Sequence, residues 1–307
     1  MASFFSTART QFFPALIAFF LMLMHGAPTE AQVLNQWAIG EKGCGPCAVT
    51  NSLIGAHSSE LLEALEGTRA IEKTRSFIQK YGSAESKKYR EHRTCYSAQH
   101  GTADIDLEHM VNEFLRENEQ PAVDGTHIQR DDYERTRTYI RRIHALLEDS
   151  IKADFHPLVS VRALAAEKAE TDDDEPEKYV WNGKGAHWIA VRSVGEITDD
   201  GQGFVINFAD SLSGRKLSGF IHVQRHRPAA VPMTFTVNDD GKEDWNWVYS
   251  RECLMINAPG MPLGTVDAKW HERTFTALRY LIFRRPGAET TSRDSIEVTR
   301  SSQSTQG

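Results

Sequence analysis

Residues 36–53 read Gln36-Trp37-Ala38-Ile39-Gly40-Glu41-Lys42-Gly43-Cys44-Gly45-Pro46-Cys47-Ala48-Val49-Thr50-Asn51-Ser52-Leu53, and the reading of this stretch decides the fold. From Cys44 onward it predicts a helix. Gly43 and Gly45 let the backbone enter through a tight turn without a Cβ penalty. Pro46 suits the first helical position, where its missing N–H would lack an intrahelical partner anyway. Ala48, Val49, Leu53 and Ile54 are apolar at helical spacing, so the helix is expected to be buried. Cys44 then sits at the positive end of a helix macrodipole, a setting that favours a thiolate over a thiol. Taken alone, the same stretch is better read as a buried helix carrying two small apolar cysteines, so the chemistry depends on a partner base elsewhere in the chain.

Upstream, residues 1–31 have the pattern of an export signal: Arg9, an apolar run from Phe12 to Met24, and a small-residue cleavage site at Thr29-Glu30-Ala31. The run is too short for a comfortable membrane span, so cleavage before Gln32, a secreted or periplasmic protein and no lasting membrane insertion are expected. The formal charge of −7, from 35 Lys plus Arg against 42 Asp plus Glu, comes without a concentrated basic stripe, which argues against nucleic acid as a partner. Four cysteines, Cys44, Cys47, Cys95 and Cys253, are too few for a disulfide-built scaffold of this length. An oxidising compartment permits a Cys95–Cys253 pair, but four cysteines have three complete connectivities and spacing does not choose among them.

From Ser58 to about Ala153 the chain reads as mostly helical. Candidates are Ser59–Leu65, Thr68–Tyr81, Asp104–Asn118 and Arg130–Ile151. Leu107, Met110, Val111, Phe114 and Leu115 form one apolar stripe; Ile140, Ile143, Leu147 and Ile151 form another, both read as core-facing. His92, Cys95 and His100 invite a metal reading, but their spacing fits no firm ligand template, and neither a metal nor a cofactor is expected. At Asp154 the character changes to strands: Pro157–Leu164, His187–Val194, Phe204–Asp210, Phe220–Val223, Val231–Val237 and Phe275–Phe283. Between the first two, the acidic segment 167–178 reads as a solvated loop. Residues 286–307 read as a disordered tail.

The partner base comes from the strands flanking Asp199-Asp200-Gly201. A hairpin in which Val194 faces Gly203 also sets His187 opposite Asp210, close enough for an imidazole–carboxylate hydrogen bond. Together with the opening helix these supply a thiol acyl-transfer site: Cys44 as nucleophile, His187 as base and acid, Asp210 to orient the ring. Gln36 adds a side-chain N–H to an oxyanion hole shared with the Cys44 amide. A lone strand histidine usually has a structural role and a lone aspartate at a strand end usually caps a turn; it is their coincidence that carries weight.

On Gln36-Trp37, Cys44-Gly45-Pro46, Gly185-Ala186-His187-Trp188 and Asp210-Ser211, the chain resembles the papain-like cysteine peptidase superfamily, in particular the bacteriocin-leader-processing (double-glycine) peptidases and their stand-alone bacterial relatives. The resemblance lies in short motifs between Gln32 and about Val223. It implies an α+β fold with an N-terminal nucleophile helix packed on an antiparallel β-sheet, here with a large helical insertion between Cys and His. The domain so implied covers 32–285, with a helical part at 44–153 and a sheet part at 154–285. It implies cysteine peptidase activity on peptide or protein substrates, amidase and transpeptidase chemistry sharing the same thioester. The helical stretch and acidic segment are larger than a minimal member needs, and Gln36 lies further from Cys44 than the tightest family spacing.

Two other readings compete. Cys44-Gly-Pro-Cys47 is the active-site tetrapeptide of thioredoxin-like oxidoreductases, but those place it directly after a buried strand, whereas Ile39–Gly43 has no strand character. A catalytically inactive binding module on the same fold is the other. Within the peptidase reading, Cys47 rivals Cys44 as nucleophile. The helix start favours Cys44, since Cys47 lies one turn inside.

Overall fold

The computed structural model describes residues 33–168, 179–237, 243–261 and 274–287; the expected export signal, the segment 169–178 and the tail from 288 on lie outside the described residues. Four α-helices precede the six long strands: α1 Cys44–Gly55, α2 Ala70–Tyr81, α3 Asp104–Glu117 and α4 Thr136–Lys152. A short hairpin, β1 Glu85–Ser86 with β2 Arg90–Thr94, lies between α2 and α3, and β3 Asp124–His127 between α3 and α4. Six long strands follow: β4 Leu158–Lys168, β5 Tyr179–Ile197, β6 Gly203–Asp210, β7 Arg215–Val237, β8 Glu243–Asn257 and β9 Thr274–Phe283. Consecutive strands pair antiparallel, β9 returns to β4, and β8 meets β9 at Met255–Ala277, so the six close into a barrel with β3 added at the edge of β9. The chain is thus mixed α and β around an antiparallel sheet.

The change from helices to strands falls at Asp154. Its φ of +56° is left-handed, and Phe155 N–H returns to Ser150 O at 3.0 Å, which closes the end of α4 and turns the chain into β4. Burial on both faces explains why these strands read as continuous apolar runs. Leu158, Trp188, Ala190, Tyr280 and Ile282 join the core formed with α1, α2 and α3, while their neighbours Val159, Ile189, Val191, Leu281 and Phe283 join the second core with α4. Both expected helical stripes are buried there: Leu107 to Leu115 in the first core, Ile140, Ile143 and Leu147 in the second, with Ile151 packed at its edge. Tyr139, an unassigned residue on the α4 face, is also fully buried.

Several boundaries differ from the expectation. The segment 57–64 is 3-10 rather than α-helical, and α4 begins at Thr136, six residues after Arg130. Strand β4 continues through Lys168, so the first two residues of the expected acidic loop are strand. Strand β8 was not expected at all, although Trp245, Trp247 and Tyr249 alternate with Asn246, Val248 and Ser250 at the two-residue period of a strand.

Candidate active site

Helix α1 starts at Cys44, with Gly43 at its N-cap and no side chain capping its first turn. Cys44 and Gly45 therefore present backbone N–H groups that the helix leaves without intrahelical partners, and the first intrahelical donor is Cys47 N, to Gly43 O at 3.0 Å. The reason for the glycines differs from the sequence reading. Gly43 has φ −80°, open to any residue, but a Cβ there would lie 2.9 Å from the Ile39 side chain. The turn itself is made at Gly40, with φ +144°. Gly45 is inside the helix, with Leu107 and Thr102 at van der Waals distance from where its Cβ would be. Residues 39–43 form turns, and among the described residues no strand precedes the first cysteine.

The two cysteines are not equivalent. Cys44 is half-buried and Cys47 fully buried. Burial, and then the neighbouring Cys44, push the Cys47 thiol far above its ordinary range. Cys95 and Cys253 are free thiols as well. Cys95 is buried against Glu85 O at 3.3 Å, beside Asp106. Among the described residues no three His, Cys, Asp or Glu side chains converge as a metal site would require.

His187 reaches Asp210, but not through the expected register. Strand β5 runs on to Ile197, the turn occupies 198–202 with Gly201 at φ +69°, and two irregularities in β5 shift the ladder. Asp210 therefore faces Ile189, and His187 stands diagonally, two residues on. A diagonal neighbour is within reach of an imidazole, and Nε2 of His187 lies 2.6 Å from Oδ1 of Asp210. The Cys44 side chain also lies beside the ring and helps to hold its proton. With Asp210 at Nε2, Nδ1 is the ring nitrogen left for the thiol. The structure thus brings Cys44, His187 and Asp210 into one chain of contacts.

Both His187 and Asp210 are buried. Burial alone would lower the imidazole pKa, but the hydrogen bonds to Asp210 and Cys44 outweigh it and raise it to about 9. Burial likewise opposes the carboxylate; the His187 hydrogen bond and charge overcome it and hold Asp210 below its ordinary range. Leu212 N donates to Asp210 Oδ1 at 3.1 Å and Ser213 N to Oδ2 at 3.0 Å, so the turn after β6 fixes the carboxylate plane.

Gln36 lies on a 3-10 turn, Gln36–Ala38, capped by Asn35. Its N–H donates to Ser211 O at 2.8 Å, the Ser211 hydroxyl donates to its Oε1 at 3.3 Å, and its Nε2 donates to Glu41 O at 2.9 Å. Gln36 is therefore stitched to the residue that follows Asp210, with one amide hydrogen left over. Two positioning residues escaped the sequence reading. Asn51, buried in α1, exchanges hydrogen bonds with Leu34 N at 2.8 Å and Leu34 O at 3.2 Å, holding the chain that leads into Gln36. Ser52 donates to His156 O at 2.6 Å and ties α1 to the entry of β4. A run of polar residues, Thr50-Asn51-Ser52, on an otherwise apolar helix was the available signal, since buried polar groups are retained where they have partners.

Two surface cavities lie apart from these residues. One of 670 Å³ is lined by residues of the β1–β2 region, including Glu91, His92 and His100. The other, of 350 Å³, lies beside His127 and Tyr280. Comparison of the chain with protein-family models, with curated proteins and with solved structures finds no match.

Proposed function

We propose that this chain is a papain-like thiol hydrolase, a cysteine peptidase acting on peptide or protein amides outside the cytoplasm. The observation that carries the reading is His187, buried between the Asp210 carboxylate and a half-buried cysteine at an uncapped helix N-terminus. Separately, each feature has a structural explanation; a carboxylate, an imidazole and a thiol in sequence is the arrangement that acyl transfer needs.

In the proposed reaction, Cys44 Sγ attacks the scissile carbonyl, its proton residing on His187. The oxyanion faces the N–H of Cys44 and the remaining amide hydrogen of Gln36. As the intermediate collapses to a thioester, His187 returns the proton to the leaving amine. Water, deprotonated by His187, then releases the acid. Asp210 acts through the ring, keeping Nδ1 toward the sulfur and supporting the imidazolium charge. A large helical segment between Cys44 and His187 supplies α2 and α3, which pack behind α1 and hold it against the sheet.

The test is labelling of the purified protein with an iodoacetamide probe, with the modified residue located by mass spectrometry and hydrolysis of a peptide library measured in parallel. Selective labelling of Cys44 and loss of hydrolysis in Cys44→Ser are expected. Labelling of Cys47 in preference to Cys44, or hydrolysis that survives Cys44→Ser, would overturn the reading. N-terminal sequencing of the exported protein is expected to start at Gln32.

A further inference from the structure

The turn that carries Gln36 is tied down through its backbone. Trp37 N donates to Asn35 Oδ1 at 3.0 Å, and Ile39 N and Gly40 N both reach Gln36 O at 2.8 Å. Gln36 itself is bonded to Ser211 and Glu41. Ala38 O accepts from Arg75 Nη2 at 3.0 Å, which joins the turn to α2. Helix α2 is in turn held to α1 by the buried hydroxyl pair of Thr50 and Thr74, 2.7 Å apart. Within this frame the Trp37 side chain is left 60% exposed. A single exposed apolar side chain is ordinary on a protein surface. An indole on a turn held this firmly, next to the residue offered to the oxyanion, is a preformed contact surface. It has few rotamers to lose and a large apolar area still to bury.

Arg75 supplies the second half. It is exposed, and among the described residues it makes no ion pair; its one hydrogen bond goes to Ala38 O. Glu41 and Lys42, the charged residues that follow the turn, pair with each other at 2.7 Å. The guanidinium therefore stands one residue from Trp37 with N–H donors to spare and no carboxylate beside it. Its planar fork matches a carboxylate.

We propose that Trp37 and Arg75 form a substrate-binding subsite beside Gln36, which takes a polypeptide segment carrying a large apolar side chain and a carboxylate on one face. This rests on the reading of Gln36 and Cys44 as a peptidase site. In an extended chain alternate side chains share a face, so the two substrate groups belong two residues apart. The indole covers the apolar side chain. The guanidinium meets the carboxylate at the rim, where a charge pair serves register and selection more than affinity.

The test is fluorescence anisotropy of labelled peptides on the full chain carrying Cys44→Ala, which removes turnover. The probes are fluorescein-Gly-Ser-Phe-Ser-Glu-Gly and the reversed order, fluorescein-Gly-Ser-Glu-Ser-Phe-Gly. Each has controls in which Ala replaces Phe or Gln replaces Glu. At least one probe is expected to bind about tenfold more tightly than either of its controls. Trp37→Ala should erase the preference for Phe and keep that for Glu. Arg75→Gln should do the reverse, and Arg75→Lys should retain part of the preference for Glu. No binding, binding indifferent to Phe and Glu, or preferences that survive Trp37→Ala and Arg75→Gln would overturn the proposal. Loss of both preferences in Arg75→Gln would make Arg75 a brace of the turn and overturn it too. Hydrolysis of the same peptides is measured on the parent. Binding with these preferences but no cleavage sinks the peptidase reading alone; cleavage without them sinks this one alone.

Discussion

Two regions of the molecule hold their side chains by different physics. Under α4, Tyr139, Ile140, Ile143 and Leu147 meet Val159, Ile189, Phe204 and Phe208 in a core of aliphatic and aromatic side chains. Where α1 meets the middle of β5 and the end of β6, the buried groups include Gln36, Asn51, Ser52, His187, Asp210 and Ser211. The apolar region is held by area and volume, about 1.5–3 kcal/mol for each large side chain fully buried. In the polar seam each group is held by a named partner. A satisfied hydrogen bond there contributes only about 0.5–1.5 kcal/mol, but an orphaned buried group costs about 1–3 kcal/mol. The lesson is a division of labour: the α4 core supplies stability, and the seam supplies geometry that chemistry can use.

The sharpest way to break this comparison is to remove the seam's reactive groups. Under the proposed mechanism, His187→Ala should reduce kcat/KM for peptide hydrolysis by about 10⁵–10⁶, and Asp210→Ala by about 10⁴, because the carboxylate acts only through the ring. Circular dichroism of both variants should stay that of the parent. A variant that unfolds instead would make the pair a structural element, and the division would fail.

The counterpart in the other region is Phe208→Ala. Fully buried in the α4 core, it should lose about 3–5 kcal/mol of unfolding free energy in urea titrations. Hydrolysis per folded molecule should be unchanged. A matching fall in kcat would show that the two regions are not separable.

A smaller effect is expected at Asn51→Ala, which orphans the Leu34 N–H and C=O it now pairs. Stability should fall by about 1–3 kcal/mol. Because Leu34 leads into Gln36, kcat should fall more than KM rises. If only stability changes, Asn51 does not position the oxyanion side of the site.

The smallest effect is in the pH dependence. The folded His187 pKa is raised to about 9. Its charge therefore contributes stability that is complete below the ordinary imidazole value of about 6.5 and is lost as pH rises through about 9. The depressed Asp210 acts the other way, contributing above the ordinary carboxyl range and losing that contribution on acidification. Urea midpoints should thus decline between about pH 6.5 and about pH 9 in the parent and decline less in His187→Ala. The alkaline limb of kcat/KM should fall only as pH rises through about 9, where the folded protein loses the imidazolium that protonates the leaving amine. A flat parent profile would mean that the ring is neutral in the folded protein.

Local rules made much of this legible in the residues themselves. Helix α1 begins at Cys44 because glycine, proline and an apolar run are signals confined to a few neighbours, and the stripes of α3 and α4 follow from period alone. The order Gln36, Cys44, His187, Asp210 was equally visible, since it needs only residue types and their spacing. Tertiary structure decided what depends on distant partners. The two irregularities in β5 place Asp210 opposite Ile189 and leave His187 diagonal to it. Closure of the sheet explains β8, an alternating strand whose pairing with β7 and β9 is set by chain far from it in sequence. The choice between Cys44 and Cys47 as the accessible thiol belongs to packing as well. Both lie on one helical turn, and only the folded chain buries Cys47 while leaving Cys44 half-covered. Propensity acts within a turn or a strand, while burial and register are properties of the whole chain folded on itself.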